Sequence, residues 1–154
     1  MNTTTLFGNS SAVIPPRPAE DSLTAFFWQG ARDGKLLILR CRQCQSYIHW
    51  PRPVCRFCLA TDLSPAEVSG RGRLHTYTSA TQAFHPYFLE RVPYIIATVE
   101  LEEQPGLMMV SNLVGVEPMA VQPNMLVEVL YREVAPGLTL PLFEPATTRR
   151  GGDR

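Results

Sequence analysis

The stretch CRQCQSYIHWPRPVCRFC, residues 41–58, decides the fold of this 154-residue chain. It contains two Cys-x2-Cys pairs separated by ten residues. A two-residue gap lets both sulfurs of a pair face one point, about 2.3 Å from a metal ion, and two such turns complete a tetrahedron. The pattern therefore predicts a structural zinc site with the ligands Cys41, Cys44, Cys55 and Cys58. With all four positions filled by protein, the ion has no open position for activating water.

Other uses of the four cysteines rank below zinc. Iron in a rubredoxin-like site would take the same ligands, whereas a redox dithiol needs one pair, usually at the start of a helix. A segment of about 25 residues cannot bury enough apolar surface to offset its chain entropy, so a bound metal supplies the missing stability. We also expect the positive field of the flanking arginines to lower the thiol pKa values; these are Arg40, Arg42, Arg52 and Arg56.

Composition and charge limit the class of protein. Hydrophobic residues make up 45% of the chain and charged residues 18%, as in soluble globular proteins. No apolar run approaches the roughly 20 residues that span a bilayer, and no basic segment precedes an apolar one at the start, so we expect a cytoplasmic protein. The net charge of zero conceals a basic stretch, residues 34–73 at +5, and an acidic one, residues 90–144 at −6.

Upstream of the cysteines we expect a flexible arm, residues 1–18, and a helical segment, residues 19–34. Within that segment the helix itself should cover about 21–33, with Asp21 or Ser22 as its cap and Gly34 at its end. The helix carries three consecutive aromatic residues, Phe26, Phe27 and Trp28. They cannot all point into one small core, so either the helix packs under the zinc module or part of it docks on another protein.

A β pattern surrounds and follows the cysteines. Strands are predicted at 35–40 and 47–50 in a zinc ribbon, residues 35–66, and five further strands follow, at 73–81, 94–102, 107–114, 125–134 and 138–143. Five strands in about 70 residues suggest a small closed barrel over residues 67–144. The oligonucleotide/oligosaccharide-binding (OB) type is our first choice and an SH3-like barrel the second. The last ten residues, 145–154, should be a disordered tail. The predicted fold class is therefore mainly β, with one N-terminal helix.

No catalytic constellation is visible in the sequence. His49 lies in the ribbon and His75 in a predicted strand, and both are expected to be structural or exposed. His85 lies between aromatic residues in the loop Phe84-His85-Pro86-Tyr87-Phe88, from which it could reach a ligand or a partner. Nucleic acid is an unfavourable ligand because a barrel at −6 would repel a phosphate backbone.

The order of helix, four-cysteine ribbon and barrel resembles the DUF35 family over residues 20–144. The similarity is carried by short motifs in the same order: Phe27-Trp28, Gly34-Lys35-Leu36, the two cysteine pairs with Pro51-Arg52-Pro53 between them, Ser69-Gly70-Arg71-Gly72-Arg73-Leu74 followed by Tyr77-Thr78, Pro93-Tyr94, and Val99-Glu100-Leu101. One departure is Gln45, where the family often has glycine after the second cysteine.

The resemblance implies a rubredoxin-like zinc ribbon, an acyl-CoA-associated OB domain and a non-catalytic role beside a thiolase-like or acyl-CoA hydratase subunit. Candidate partner-binding residues are the aromatic and neighbouring residues Phe26, Phe27, Trp28, Phe84, His85 and Tyr87. Arg71 and Arg73 are candidates for the phosphates of a CoA thioester shared with the partner, on their position and charge alone. Two alternatives remain, a nucleic-acid-binding ribbon–barrel module and a stand-alone acyl-CoA-binding protein.

Overall fold

The structure is a computed structural model that describes residues 13–147. One helix, α1 (Ala25–Arg32), precedes eight strands: β1 (Leu36–Cys41), β2 (Tyr47–Ile48), β3 (Leu63–Val68), β4 (Arg71–Ala80), β5 (Tyr94–Leu101), β6 (Met108–Leu113), β7 (Leu126–Ala135) and β8 (Leu138–Pro145). Two 3₁₀ turns, Pro86–Phe88 and Pro118–Ala120, lie in the long loops of the barrel. Within the described part of the chain, no helix has the length and hydropathy needed to cross a membrane.

The first three strands form the sheet of the zinc ribbon, in the order β2-β1-β3 and antiparallel throughout. The apolar residues of β1 face two clusters: Leu36 and Ile38 join the barrel core, and Leu39 joins a small cluster with Cys41, Ile48 and Cys55. Only two residues, Ser69 and Gly70, separate β3 from β4. The ribbon is therefore built directly onto the barrel.

The last five strands close into a barrel in the order β4-β5-β6-β8-β7. All contacts between neighbouring strands are antiparallel except that of β6 with β8, which is parallel. The core lies inside, where Leu74, Val99 and Phe143 are fully buried. A closed five-stranded barrel of this type is an OB-fold, which confirms the predicted fold class over the SH3-like alternative.

Helix α1 packs against β1, β7 and β8, so it lies where the ribbon meets the barrel. Its buried residues, Phe27, Gly30 and Ala31, follow a spacing of three and four. Asp21 accepts hydrogen bonds from the backbone N–H groups of Leu23 and Thr24 at 2.9 Å, which shapes the turn before the helix. The chain leaves the helix through Gly34 at φ +70°, the left-handed conformation that glycine adopts without strain.

The sequence prediction missed one strand, β3, and placed several ends differently. Pro65 lies in the middle of β3, and proline has no N–H for a strand ladder; here it is tolerated because β3 is an edge strand. The helix is shorter than the predicted 21–33, and β8 extends two residues past its predicted end, to Pro145, the first residue of the predicted tail. Residues 1–12 of the predicted flexible arm and 148–154 of the tail lie outside the described residues.

Candidate metal centre and partner surfaces

The four predicted ligands converge on one point. The sulfur atoms of Cys41, Cys44, Cys55 and Cys58 all lie within 4.8 Å of one another. The distance from Cys41 Sγ to Cys58 Sγ is 3.6 Å, and that from Cys44 Sγ to Cys55 Sγ is also 3.6 Å. A tetrahedral ion with bonds of about 2.3 Å needs sulfur–sulfur edges of about 3.8 Å, so the donor set fits zinc.

Each cysteine pair is held by the same two backbone hydrogen bonds. In the first turn, Cys41 N–H donates to Ser46 O and Gln45 N–H to Cys41 O, both at 2.9 Å. In the second, Cys55 N–H donates to Ala60 O at 2.8 Å and Leu59 N–H to Cys55 O at 3.0 Å. These are the two knuckles of a zinc ribbon, and each presents its pair of sulfurs to the same point.

The residue after each knuckle has a left-handed backbone, with φ +64° at Gln45 and φ +62° at Leu59. Glycine takes this conformation readily, whereas a residue with a Cβ is strained in it. At Gln45 the side chain offsets the strain, because Nε2 donates to the carbonyl of Arg42 at 2.7 Å. Gln45 therefore preserves the knuckle at a position where the resemblance predicted glycine.

The thiols cannot all ionise side by side without a cation. Hydrogen bonds from Ser46, first its hydroxyl and then its backbone, lower the pKa of Cys44 to about 6. At Cys58 the backbone of Ala60 favours the thiolate, but burial and the neighbouring sulfurs outweigh it and raise the pKa to about 12. Ser46, and not the flanking arginines expected from the sequence, is thus the main cause of the lowered pKa. A divalent cation removes the repulsion between the thiolates and lets all four bind.

The aromatic residues of α1 divide between the interior and the surface. Phe27 is only 2% exposed and lies in the barrel core, so it is not available to a partner. Its ring centroid is 5.0 Å from that of Trp28 and 5.2 Å from that of Trp50. Phe26 is half-buried and contacts both the barrel core and the ribbon cluster, and the half-buried Trp28 packs against the barrel core. The helix thus joins the two modules, as the first of the two predicted alternatives required.

A groove of about 480 Å³ opens beside these rings, between the helix, the ribbon and the edges of β6 and β8. It is lined mainly by apolar side chains, among them Trp28, Trp50 and Val110. His49 also lines it, and burial lowers the pKa of this imidazole to about 4, so it is neutral at pH 7. His49 is therefore a half-buried, neutral part of the groove wall, and His75 is exposed on β4.

The loop between β4 and β5 holds the second set of predicted partner residues. Phe84 is 85% exposed, whereas Tyr87 is only 4% exposed and its ring lies under the guanidinium of Arg91, 3.9 Å away. His85 caps the 3₁₀ turn, since its Nδ1 accepts a hydrogen bond from Tyr87 N–H at 3.1 Å. Phe84 alone of these three predicted residues is broadly available to another protein.

Arg71 and Arg73 line a groove of about 540 Å³ together with Glu100 and Glu102. Arg71 Nη2 lies 2.6 Å from Glu102 Oε1, and this hydrogen-bonded pairing lowers the pKa of Glu102. Arg73 makes a long hydrogen bond, 3.4 Å, to the carbonyl of Asn124. Two arginines and two glutamates balance in charge, so the groove is less cationic than the sequence suggested.

A four-sulfur ribbon joined directly to a five-stranded OB barrel defines the class of zinc-ribbon–OB-fold proteins. Two family models match consecutive parts of the chain. The ChsH2 rubredoxin-like zinc ribbon domain matches residues 28–64, and the ChsH2 C-terminal OB-fold domain matches residues 66–132. The chain belongs to the DUF35 family, as the resemblance in its motifs predicted.

Three similar proteins show the range of this family. A DUF35 domain-containing scaffold protein of Methanothermobacter thermautotrophicus is 32% identical over 96 residues, which cover 62% of this chain and 70% of that protein. A probable enoyl-CoA hydratase alpha subunit of Thermomonospora curvata is 39% identical over 133 residues, or 86% of this chain; the chain spans only 40% of its length. The solved structure of an Ltp2-ChsH2(DUF35) aldolase contains a chain that is 37% identical, with a TM-score of 0.77, covering 85% of this chain and all of that one.

Two functional features were missed by sequence reasoning. The first is the left-handed backbone at Leu59, which its position directly after Cys58 could have indicated by analogy with Gln45. The second is Gln104, whose side chain accepts a hydrogen bond from Tyr47 N–H at 2.8 Å and donates one to Tyr47 O at 3.1 Å. Gln104 thereby links the ribbon to the barrel, and no local sequence signal indicates this contact.

Proposed function

We propose that this chain is a non-catalytic accessory subunit of a thiolase-like enzyme, of the sterol-carrier-type thiolase or aldolase kind, or of an acyl-CoA hydratase. The partner acts on acyl-CoA thioesters in lipid or steroid metabolism and supplies the catalytic residues. The chain supplies a rigid surface that binds and supports the partner. A cytoplasmic location is part of the proposal.

The observation that carries this proposal is the closed donor set of the metal centre. Four cysteine sulfurs within 4.8 Å of one another fill the coordination sphere of zinc. A bound ion therefore stabilises the ribbon and offers no position to a substrate. The names of two similar proteins, a scaffold protein and a hydratase alpha subunit, agree with a subunit role.

Partner contact is assigned to the residues that remain at the surface. Phe84 presents nearly its whole side chain, the half-buried Trp28 lines the apolar groove, and Phe26 is half-buried on the same helix. Aromatic side chains are frequent anchors of protein interfaces because they bury a large apolar area at small entropic cost. The other three predicted residues lie beneath this surface and hold the helix and the loop in place; they are Phe27, Tyr87 and His85.

The test is recovery of the partner from the native host with a tagged form of this chain, followed by reconstitution with the purified partner. We expect a thiolase-like or acyl-CoA hydratase subunit in stoichiometric amount, whose activity rises when this chain is added. Phe84→Ser should weaken that binding, while Phe84→Tyr, which keeps the ring, should not. A stringent recovery that yields no acyl-CoA enzyme, combined with CoA binding by the chain alone, would favour the stand-alone acyl-CoA-binding protein.

A CoA thioester shared with the partner is a further part of the proposal. Its phosphates would bind Arg73 and, after displacement of Glu102, Arg71. We expect the Arg71→Ala/Arg73→Ala double variant to weaken CoA binding to the complex in calorimetry without loss of partner. Unchanged CoA affinity in the double variant would remove these two arginines from the proposal.

A further inference from the structure

An exposed apolar patch lies on the second zinc knuckle. Val54, Phe57 and Leu59 are exposed by 37%, 52% and 76% respectively. Phe57 and Leu59 belong to one short turn, which is closed by the hydrogen bonds from Cys55 N–H to Ala60 O and from Leu59 N–H to Cys55 O, and Val54 directly precedes that turn. We call these three residues the second-knuckle patch. In water such a patch is unfavourable, and it typically marks a site of interaction.

The backbone of Leu59 is strained, in addition to the exposure of its apolar side chain to water. It adopts φ +62°, where glycine would be free of strain and would also remove the exposed side chain. The equivalent residue of the first knuckle, Gln45, gains a local hydrogen bond to Arg42 O, but leucine has no polar atom with which to do the same. Backbone strain at a residue whose side chain is 76% exposed indicates a role outside the chain.

The charge around the patch indicates what covers it. Arg52 and Arg56 are exposed beside it, and no acidic residue occurs between positions 43 and 61. Within the described residues neither arginine forms an ion pair, and the guanidinium of Arg56 lies 4.7 Å from the ring centroid of Phe57. An apolar surface flanked by carboxylates complements this arrangement.

A polyanion such as a nucleic acid fits the second-knuckle patch less well than an apolar surface flanked by carboxylates. The four arginines and Asp62 of residues 40–62 contribute +3, and a divalent ion with four thiolates contributes −2, so the ribbon carries only +1. Nucleic-acid binding depends on many cationic contacts to phosphate, which this surface does not offer.

We infer that the second-knuckle patch docks into an apolar pocket flanked by carboxylates on the partner enzyme subunit, with Leu59 as the central anchor. The inference rests on the proposed function, and it adds the ribbon to an interface otherwise assigned to the helix and the β4–β5 loop. It also gives a reason for leucine at a position where glycine would suit the backbone better.

The experiment compares Leu59→Gly with Gln45→Gly in the zinc-loaded protein, using the partner subunit identified above. Both changes relieve the same backbone strain, one on each knuckle. We expect Leu59→Gly to weaken partner binding by about 10-fold or more, as at an interface anchor. Its zinc content should stay stoichiometric and its melting temperature should be equal or higher. Gln45→Gly should bind the partner like the wild type.

Charge is tested with Arg52→Ala/Arg56→Ala, which should slow association with the partner and reduce its dependence on salt. Wild-type affinity in Leu59→Gly would overturn the inference while leaving the proposed function intact. Weaker binding accompanied by loss of zinc would also overturn it, since the effect would then come from folding. Tight binding of a 20-nucleotide single-stranded DNA that Leu59→Gly weakens would assign the patch to nucleic acid instead. If the wild type recovers no acyl-CoA enzyme at all, it is the proposed function that fails.

Discussion

Gly70 and Gly137 form a matched pair that tests how closely the segment joining the ribbon to the barrel is packed against β7. Both have φ +73°, but their surroundings differ. A Cβ built on Gly70 would lie 2.1 Å from Val129 Cγ1, whereas one on Gly137 would have no atom within 4 Å. The carbonyl of Gly70 also accepts a hydrogen bond from Val129 N–H at 2.8 Å, so the backbone cannot move away without losing that bond.

These contacts set the expected loss of stability. An alanine in the left-handed region costs about 1–2 kcal/mol, and its stiffer unfolded chain returns about 0.4–1 kcal/mol, so Gly137→Ala should cost about 1 kcal/mol. Gly70→Ala carries the same backbone term plus overpacking against Val129, which adds about 1–3 kcal/mol. The total of about 2–4 kcal/mol is a large part of the 5–15 kcal/mol of a typical domain.

Urea denaturation of the zinc-loaded protein, followed by tryptophan fluorescence, measures both variants. The double variant Gly70→Ala/Val129→Ala removes the blocking γ-carbons, so it should lose less stability than the sum of the two single changes. A difference between Gly70→Ala and Gly137→Ala below about 0.5 kcal/mol, the usual error of additivity, would refute the reasoning. The overlap between an added Cβ at residue 70 and Val129 would then not determine the loss of stability.

Three further predictions concern the metal, the acid sensitivity and the core. Cys44→Ser should leave the barrel folded but loosen residues 36–60, measured as faster amide exchange there than in the wild type; equal metal content in the two proteins would contradict it. His49 has its pKa lowered to about 4 by burial. The unfolded chain, with a pKa near 6.5, then binds more protons, and stability should fall by about 2 kcal/mol between pH 7 and pH 5. Denaturation of His49→Gln over the same pH range separates the contribution of His49 from that of zinc release in acid. An identical dependence of stability on pH in the variant would show that His49 is not the cause. Phe27→Ala should cost about 3–5 kcal/mol because the ring is buried, whereas Phe84→Ala should change stability by less than about 0.5 kcal/mol in the same assay.

Local patterns predicted the metal ligands and most of the fold. Cysteine spacing depends on the geometry of a single turn, and the barrel strands alternate clearly or end at glycine and proline, so both are visible along the chain. Strand β3 was missed because Pro65 argues against a strand unless its edge position is known. Such a position is a property of the assembled sheet and not of the residues themselves.

The same limit applies to the aromatic residues. Phe27 and Phe84 were both predicted to face a partner, yet one is in the core and the other is almost fully exposed. Which of two neighbouring rings points inward depends on how the helix rests on β1, β7 and β8, and that follows from contacts distant in sequence. The spacing of Phe27 with Gly30 and Ala31 was the available signal for its burial.

The β5–β6 turn makes contacts with the ribbon and with the two-residue segment that joins the ribbon to the barrel. Gln104 exchanges two hydrogen bonds with the backbone of Tyr47, and Glu103 Oε1 accepts one from Ser69 N–H at 2.6 Å. The ribbon and the barrel therefore cannot be exchanged independently between proteins, even though they match separate family models. A hybrid that grafts this ribbon onto another barrel would need residues 103–104 transplanted with it, or the ribbon would lose its set angle at the graft.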